Sequence, residues 1–541
     1  MGTAVFIEAS SNDGGNPGAT VAKVIDGTTV TGFVGGSLAV NNDIFLTGGA
    51  ALSEKVSATA IQSYGLGAGV VGEPWNFSSG GGDEGNHIFM IANIQGSADT
   101  LANGGFGIVA ADDLATDSTG VWYIGPQAGS LGGWEYFVVD PASDFNTVVA
   151  GSGSWTTNGN PAQLSGVDGV GVRWSVTNTI MGASDNAFLQ TMSIGVGYRL
   201  TGSASVFTDI SSYEQTNRFG ALQIKSGIFF PLCKLRIGAA TGAAGNTVFD
   251  DSGFTVIWPA LLRPSGAKAT AVGFYGIFAD QGTGTTDITM ADGLLAAVSP
   301  EEFDFEMAGV NSVTLSNLTL DRARLVFLDS AVSWDGGAIN NSGQIDLGGA
   351  PTFTNIGINN PTDADALKVD ATTELANVSN LAFNGAGVGG AGSSAILLTP
   401  NGGTYNFVGI TFANRVAGSH DVRIPNTTTA DTTINVTSGG STPTVNNQGT
   451  GAVTINSNVS ITLTGLVAGS EVRVYLQGTG TPVDGVESSG TSFNFSVGAG
   501  VAVDIRIFNT QYLPADVLNF STTSDTSIPI QQIFDRNYSN P

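Results

Sequence analysis

The sequence contains a single cysteine, Cys233, at the end of the apolar run Ile228-Phe229-Phe230-Pro231-Leu232. One cysteine cannot form an internal disulfide, so the stability of the fold does not depend on an oxidising compartment. The apolar neighbours predict a buried, unreactive thiol, because a free cysteine behaves as a small hydrophobic side chain. Cys233 also has no evident base beside it, so catalysis by a cysteine nucleophile has no support.

Histidine is almost as scarce, with only His87 and His420, far apart in the chain. Asp83 precedes His87 by four positions, but no further histidine or cysteine stands at ligand spacing, so no metal site is predicted. The chain has neither a Walker-type Gly-Lys-Ser/Thr motif nor a strand, glycine-rich loop and helix in succession. We therefore expect no nucleotide and no other cofactor.

Positive charge is also sparse: Lys and Arg total 18 and Asp and Glu total 45, giving a net charge of −27. Such a chain repels phosphate backbones, so nucleic acid is excluded as a partner. The acidic surface is explained by solubility and by protection of sheet edges against association. No apolar run is long enough to span a bilayer, and the N-terminus lacks a basic region and a long apolar region, so neither membrane insertion nor a secretory signal is predicted.

Helical periodicity is missing as well. No long stretch places apolar residues at i, i+3, i+4 and i+7, and the 77 glycines suit turns better than helices. Hydrophobic residues make up 41% of the chain, which is enough for large cores. The 541 residues therefore predict an all-β protein of two to four domains.

Short strands dominate residues 310–466, where apolar and polar residues alternate between turns rich in Gly, Asn, Asp and Ser. The strand candidates are 313–320, 324–328, 352–358, 380–383, 405–412 and 433–437. Their recurrence at roughly 20–28 residues predicts a right-handed parallel β-helix over residues 285–465, one coil per unit. An antiparallel sandwich would also have short strands, but the Asn-Gly and Asp-Gly turns of two-residue hairpins do not separate these units.

Residues 51–284 have longer strand candidates and hold six of the seven tryptophans. Strands of this length with a high aromatic content predict a jelly-roll or concanavalin-like sandwich. Sandwiches of this kind bind sugars through exposed aromatic rings, which makes Trp122, Tyr123, Trp134 and Tyr136 the sugar-stacking candidates. The alternative is that these rings pack in the core and at its rim.

The two ends of the chain form the remaining segments. Residues 1–50 are predicted to form an attachment segment or to supply strands to the next domain. Residues 466–541 read as a small antiparallel β-domain, with strands near 470–476, 492–497 and 501–508. The tail from Ile528 to Pro541 has too many apolar residues for a free end, so we expect an extended strap docked on the preceding domain or on a neighbouring chain.

No catalytic residues are predicted. The adjacent acidic pairs are Asp83/Glu84, Asp112/Asp113, Asp250/Asp251 and Glu301/Glu302. Neighbours in a strand point to opposite faces, whereas glycoside hydrolysis needs two carboxylates that face each other. Acidic residues of the 285–465 region lie mostly at turns without aromatic neighbours, with Trp334 beside Asp335 as the exception.

Several short stretches stand out: residues 80–88, 120–126 and 131–135 in the first half, and 469–475 with 534–538 at the end. Together they resemble structural proteins of tailed bacteriophages, especially marine ones. The resemblance is one of architecture and short motifs, without a catalytic signature. It implies a virion component at the tail, baseplate or capsid surface, synthesised in the host cytoplasm.

Three hypotheses follow. The first is a homotrimeric tail fibre, baseplate protein or spike that presents a host-recognition surface, contacts other virion proteins and binds a host surface glycan. The second is a capsid-decorating protein, and the third is a spike that cleaves polysaccharide. The first is favoured, and it is not an enzyme.

Overall fold

A computed structural model describes residues 1–8, 33–34, 39–41, 51–55, 61–66, 87–94, 106–111, 134–139, 169–175, 186–217, 222–260, 275–498, 501–522 and 525–536. This part of the chain is nearly all β, with large parallel sheets, which confirms the predicted class. The chain divides into two units, Met1–Val326 and Phe327–Pro541. No helix within the described ranges is long and apolar enough to span a membrane.

The first ten strands of the first unit pair in antiparallel fashion. They are β1 (Gly2–Glu8), β2 (Phe33–Val34), β3 (Ala39–Asn41), β4 (Ala51–Lys55), β5 (Ile61–Leu66), β6 (His87–Ile94), β7 (Phe106–Ala111), β8 (Trp134–Val139), β9 (Gly169–Ser175) and β10 (Asn186–Gly202). One sheet joins β1, β4 and β6 to β10, with β3 on β4 and β8 on β6; the other runs β2-β5-β9-β7. The N-terminal strand therefore adds to a sheet built on β10.

Parallel pairing begins at β10, where Gly197 pairs with Lys234. The strands that follow are β11 (Leu222–Lys225), β12 (Ile228–Pro231), β13 (Lys234–Ile237), β14 (Thr247–Ser252), β15 (Thr255–Trp258), β16 (Gly276–Ala279), β17 (Thr286–Ala291), β18 (Leu294–Ala297), β19 (Phe303–Met307), β20 (Ser312–Asp321) and β21 (Ala323–Leu328). Before them comes one helix, α1 (Thr208–Asn217). Parallel ladders run β10-β13-β16-β19 and β14-β17-β20. They start inside the 51–284 range that the sequence assigned to the sandwich.

Aromatic and aliphatic side chains fill the interior of these ladders. Trp258 is fully buried and stacks on Phe303 with ring centroids 4.5 Å apart. Its indole N–H donates to the carbonyl oxygen of Cys233 at 3.0 Å, so the polar atom of this large ring is satisfied. Cys233 itself is fully buried, which confirms the predicted burial of the thiol.

We expect Cys233 not to react with a bulky thiol reagent in the native protein. The thiol has no solvent access, and its reaction requires an accessible thiolate. The absorbance released by an aromatic disulfide reagent should stay at baseline in buffer and rise to one equivalent in denaturant. Rapid labelling without denaturant would contradict the prediction.

The second unit repeats the parallel arrangement. Its strands are β22 (Val332–Asn340), β23 (Gln344–Leu347), β24 (Thr352–Thr354), β25 (Gly357–Asn359), β26 (Asp365–Val369), β27 (Val378–Ser379), β28 (Ala382–Asn384), β29 (Ser394–Leu398), β30 (Gly403–Val408), β31 (Thr411–Ala413), β32 (His420–Ile424), β33 (Thr432–Thr437), β34 (Val445–Asn447) and β35 (Val453–Thr464). Ile358 pairs with Phe383 and Phe383 with Phe412, at offsets of 25 and 29 residues. All three are apolar, so each rung stacks its hydrophobic side chain on the one before.

Asparagines at the bends form ladders of their own. Asn355 and Asn380 both adopt a left-handed backbone, with φ of 59° and 55°, a conformation that asparagine tolerates better than most residues. The Asn380 amide donates to the Asn355 side-chain oxygen at 2.9 Å, and Asn355 in turn donates to Asp335 at 2.6 Å. Further amide ladders run Asn340-Asn359-Asn384-Asn414 and Asn406-Asn435-Asn456. Side-chain hydrogen bonds thus reinforce the backbone pairing between successive rungs.

The C-terminal part of the second unit contains a small domain with two sheets. Its strands are β36 (Glu471–Leu476), β37 (Pro482–Val486), β38 (Ser492–Gly498), β39 (Val503–Asn509), β40 (Tyr512–Phe520) and β41 (Thr526–Pro529). One sheet runs β37-β36-β39-β40, and β38 and β41 pair with β35. Inward residues of both sheets form one core, among them Ile461, Val472 and Ile505, which are fully buried. The described part of the tail, up to residue 536, begins as an extended strand on this domain, because β41 pairs in parallel with β35.

Candidate functional site

Two of the four aromatic sugar-stacking candidates are described. Trp134 and Tyr136 lie on β8, half-buried, and share one face of the strand with Val138, which is buried. Rings that share a face with a buried valine fit rim packing and leave part of each ring exposed. Trp122 and Tyr123 lie outside the described residues. The sugar-binding role of these four residues stays a prediction.

The acidic pairs do not provide a facing pair of carboxylates in the described ranges. Asp250 and Asp251 are successive residues of β14, so they point to opposite faces. Asp251 accepts the Phe207 N–H at 2.8 Å, and burial raises its pKa. Glu301 is buried. Asp83, Glu84, Asp112 and Asp113 lie outside the described ranges.

The Trp334–Asp335 neighbourhood is structural. Trp334 is fully buried and donates its indole N–H to the Gly336 carbonyl at 2.9 Å. Asp335 accepts from Thr354 at 2.8 Å and from Asn355 at 2.6 Å, and these two hydrogen bonds lower its pKa. The ring is therefore not available to stack on a ligand.

A group that the sequence did not single out lies at the end of β26. Lys368 forms ion pairs with Asp346 on β23 and with Asp370, which also accepts the Thr399 hydroxyl. Glu374 lies in the short 3-10 helix Thr372–Leu375 and is 5% exposed. We refer to Asp346, Lys368, Asp370 and Glu374 as the β26 corner.

The pKa values of Glu374 and Asp370, two carboxyls of the β26 corner, are shifted in opposite directions. Burial raises the pKa of Glu374 more than the N–H groups of Asp370 and Ala371 lower it. The pKa of Asp370 is lowered, because hydrogen bonds from Lys368 and Thr399 together outweigh its burial. Burial and the charge of Glu374 raise the pKa of Tyr405 to about 12. Two neighbouring carboxyls whose pKa values are shifted apart are the arrangement that acid–base chemistry uses, but Glu374, which accepts the Asp370 N–H at 2.7 Å, is also explained as a cap of the short helix.

Glu374→Gln is expected to flatten the pH dependence of stability in mildly acidic solution. Because the folded state holds this proton more tightly than the unfolded state, the carboxyl contributes stability below its ordinary pKa of 4.5 and loses it as the pH rises through the raised value. The difference in melting temperature between wild type and variant should therefore change across this window. A constant difference from pH 4 to pH 7 would contradict the raised pKa.

A cleft of about 380 Å³ opens on the outer face of the four-stranded C-terminal sheet, between β36 and β37. Val472 and Val474 point into the core, so Glu471, Arg473 and Tyr475 point outward on the same strand. The opposite wall is formed by Pro482, Asp484, Gly485 and Glu487. We call this the β36–β37 cleft.

The backbone of β37 shapes the β36–β37 cleft. The pairing register shifts between Val474, opposite Asp484, and Tyr475, opposite Pro482. Gly485 lies opposite Arg473, and a Cβ there would sit 2.8 Å from the Val472 carbonyl oxygen, closer than real contacts allow. The site opposite Arg473 therefore has no side chain, which leaves the floor of the cleft open.

Arg473 organises the polar groups of the cleft. Its guanidinium is ion-paired with Glu471, and this hydrogen bond is the main reason why the pKa of Arg473 is raised. Glu471 and Arg473, neighbours on one strand face, are thus paired at the edge of the cleft.

Among the described residues, no group of three or more His, Cys, Asp or Glu side chains is arranged to hold a metal ion. No protein-family model matches the chain, and no curated protein matches it.

Proposed function

We propose that the chain is a structural protein of a bacteriophage virion, a homotrimeric tail fibre, baseplate protein or spike that presents a host-recognition surface. In this proposal the parallel ladders form a right-handed β-helix, the antiparallel strands before them belong to a jelly-roll-like sandwich, and the C-terminal domain carries the exposed recognition surface. The observation that supports it best is the repeated parallel pairing with stacked apolar side chains and amide ladders. Such an element is rigid along its length and suits a shaft.

Support for self-association comes from exposed apolar side chains on the C-terminal domain. Leu513, Ile533 and Phe534 are 45%, 63% and 51% exposed. They lie together, because the Leu513 N–H donates to the Ile533 carbonyl at 2.9 Å and Phe534 packs edge-on against Tyr512. Large apolar side chains grouped at a surface are typical of protein contacts, and a second copy of the chain is the partner that the proposal requires.

Light scattering tests the oligomer. A trimer has three times the monomer mass of 54.9 kDa at micromolar concentration, and replacing both Ile533 and Phe534 with serine is expected to shift the mass toward the monomer. The matched control is Val388→Ser, which replaces another exposed apolar side chain, 43% exposed, with serine. A monomer mass for the wild-type chain would contradict the proposed trimer.

Two further readouts separate the alternatives. Antibody labelling of particles distinguishes a tail protein from a capsid-decorating protein. For a polysaccharide-cleaving spike, the specific observation is that the β26 corner brings the acidic residues Glu374 and Asp370 together, with the Asp370 N–H donating to the Glu374 carboxylate at 2.7 Å. Release of reducing ends from host capsule, lost in Glu374→Gln and Asp370→Asn, would favour that third function.

A further inference from the structure

We propose that the β36–β37 cleft is a binding site for a neutral glycan, so that the C-terminal domain carries the recognition surface. This inference rests on the proposed function and assigns the ligand class of that surface. The cleft's volume of about 380 Å³ falls in the range of small-molecule sites, which is roughly 300–1,000 Å³.

The first argument is the combination of one aromatic ring with several charged groups. Tyr475 is half-buried and lies opposite Pro482 in the strand pairing, so a flat apolar surface borders the cleft. Asp484 and Glu487 are exposed beside it. Carboxylates accept hydrogen bonds only, and hydroxyl groups of a sugar are suitable donors, while the apolar face of the sugar ring can stack on tyrosine.

The second argument is the charge, which selects against other ligand classes. Glu471, Asp484 and Glu487 line the cleft together with a single cation, Arg473, so carboxylates outnumber cations by two. Phosphate, sulfate and uronic-acid groups are repelled by this excess. A cationic peptide would be attracted by the carboxylates, but Arg473 stands in the middle of the strand face, between Glu471 and Tyr475. A neutral polyol avoids both conflicts.

The third argument is that the cleft is held in place before any ligand binds. Arg473 is ion-paired with Glu471, and Gly485 cannot be replaced by a larger residue without meeting the Val472 carbonyl. The strand below is anchored by Val472 and Val474, both fully buried. Prearranged polar groups lose less conformational entropy on binding.

The test is binding of the full chain to a printed array of neutral oligosaccharides of glucose, galactose, mannose and N-acetylglucosamine, followed by calorimetry with the best ligand. Tyr475→Ala should weaken binding about tenfold or more, and Asp484→Asn should weaken it as well. Tyr475→Phe keeps the ring and should bind within about threefold of wild type. Phe508→Ala is the matched control, because Phe508 is an exposed aromatic residue of the same outer face but does not line the cleft.

Circular dichroism confirms that each variant is folded, and Asp484→Asn provides the readout if Tyr475→Ala does not fold. Absence of binding on the array, unchanged binding of folded Tyr475→Ala, or preference for an oligolysine peptide would overturn the inference. Particle labelling keeps the two proposals apart. If the chain is found in particles but binds no neutral glycan, only the proposal of glycan binding at the cleft is contradicted. If the chain binds glycan through the cleft but is absent from particles, only the proposed virion role is contradicted.

Discussion

Replacing Asp365 with alanine is expected to lower the free energy of unfolding by about 3–5 kcal/mol, the largest effect of any single substitution considered. Asp365 is 4% exposed and accepts from the Arg423 guanidinium through both carboxylate oxygens. It also accepts the Ser394 hydroxyl at 2.7 Å. The three side chains stand on β26, β29 and β32, so one carboxylate joins three successive strands. Its removal leaves a largely buried guanidinium without this partner.

The matched control for Asp365→Ala is Lys368→Ala on the same strand. Lys368 is also paired with carboxylates, but its side chain is 30% exposed, and ion pairs in that environment contribute only about 0–1 kcal/mol. Urea denaturation followed by tryptophan fluorescence gives both values. If the two variants lose the same stability, the hydrogen bonds and ion pair of Asp365 do not make the predicted contribution to the free energy of unfolding. Asp365→Asn keeps the shape of the side chain and part of its hydrogen bonding, so its loss of stability should lie between those of Asp365→Ala and Lys368→Ala.

Local patterns predicted the strands because side-chain alternation is a local property. Residues 313–320 were predicted as a strand from alternation alone, and β20 covers Ser312–Asp321. The buried positions switch phase between Leu315 and Leu318, at Asn317, whose φ is 49°. Asparagine tolerates this left-handed bend, so a polar residue inside an alternating run marks a corner.

The start of the parallel ladders could not be predicted in the same way. β13 reads Lys-Leu-Arg-Ile, four residues with no turn signal that distinguishes a parallel from an antiparallel neighbour. Its pairing with Gly197 joins residues 37 positions apart, and the pairing of Leu235 with Ile277 spans 42. Register over such distances is set by tertiary packing, which a single sequence does not display.

The candidate sites were missed for a related reason. Asp346, Lys368 and Glu374 are spread over 29 positions, and the parallel register brings them to one corner. The β36–β37 cleft depends on a register shift within a hairpin and on Gly485, which are visible only once the strands are paired. The sequence pattern instead selected Trp122, Tyr123, Trp134 and Tyr136, because large aromatic rings are conspicuous in a sequence.

Deletion of residues 526–541 is expected to destabilise the C-terminal domain by about 3–6 kcal/mol, through loss of apolar burial and of backbone hydrogen bonds. Ile528 and Ile530 pack against the domain core, and β41 covers the edge of β35. The Gln532 side-chain oxygen accepts the Val467 N–H at 2.7 Å and the Ser470 hydroxyl at 3.1 Å. Without the strap the Val467 N–H loses this acceptor, and the buried Ser470 loses one of its hydrogen bonds.

A chain ending at residue 536 is the control for this deletion, because it keeps β41, Gln532 and the contact between Tyr512 and Phe534. Thermal unfolding gives the stability of both truncated chains, and amide hydrogen exchange in β35 locates the change. We expect faster exchange there only in the longer deletion, since Ile530 donates its N–H to the Thr464 carbonyl and β41 pairs with the same strand. If both truncated chains melt, assemble and exchange like the full chain, the strap does not stabilise the domain, and its apolar residues need another explanation.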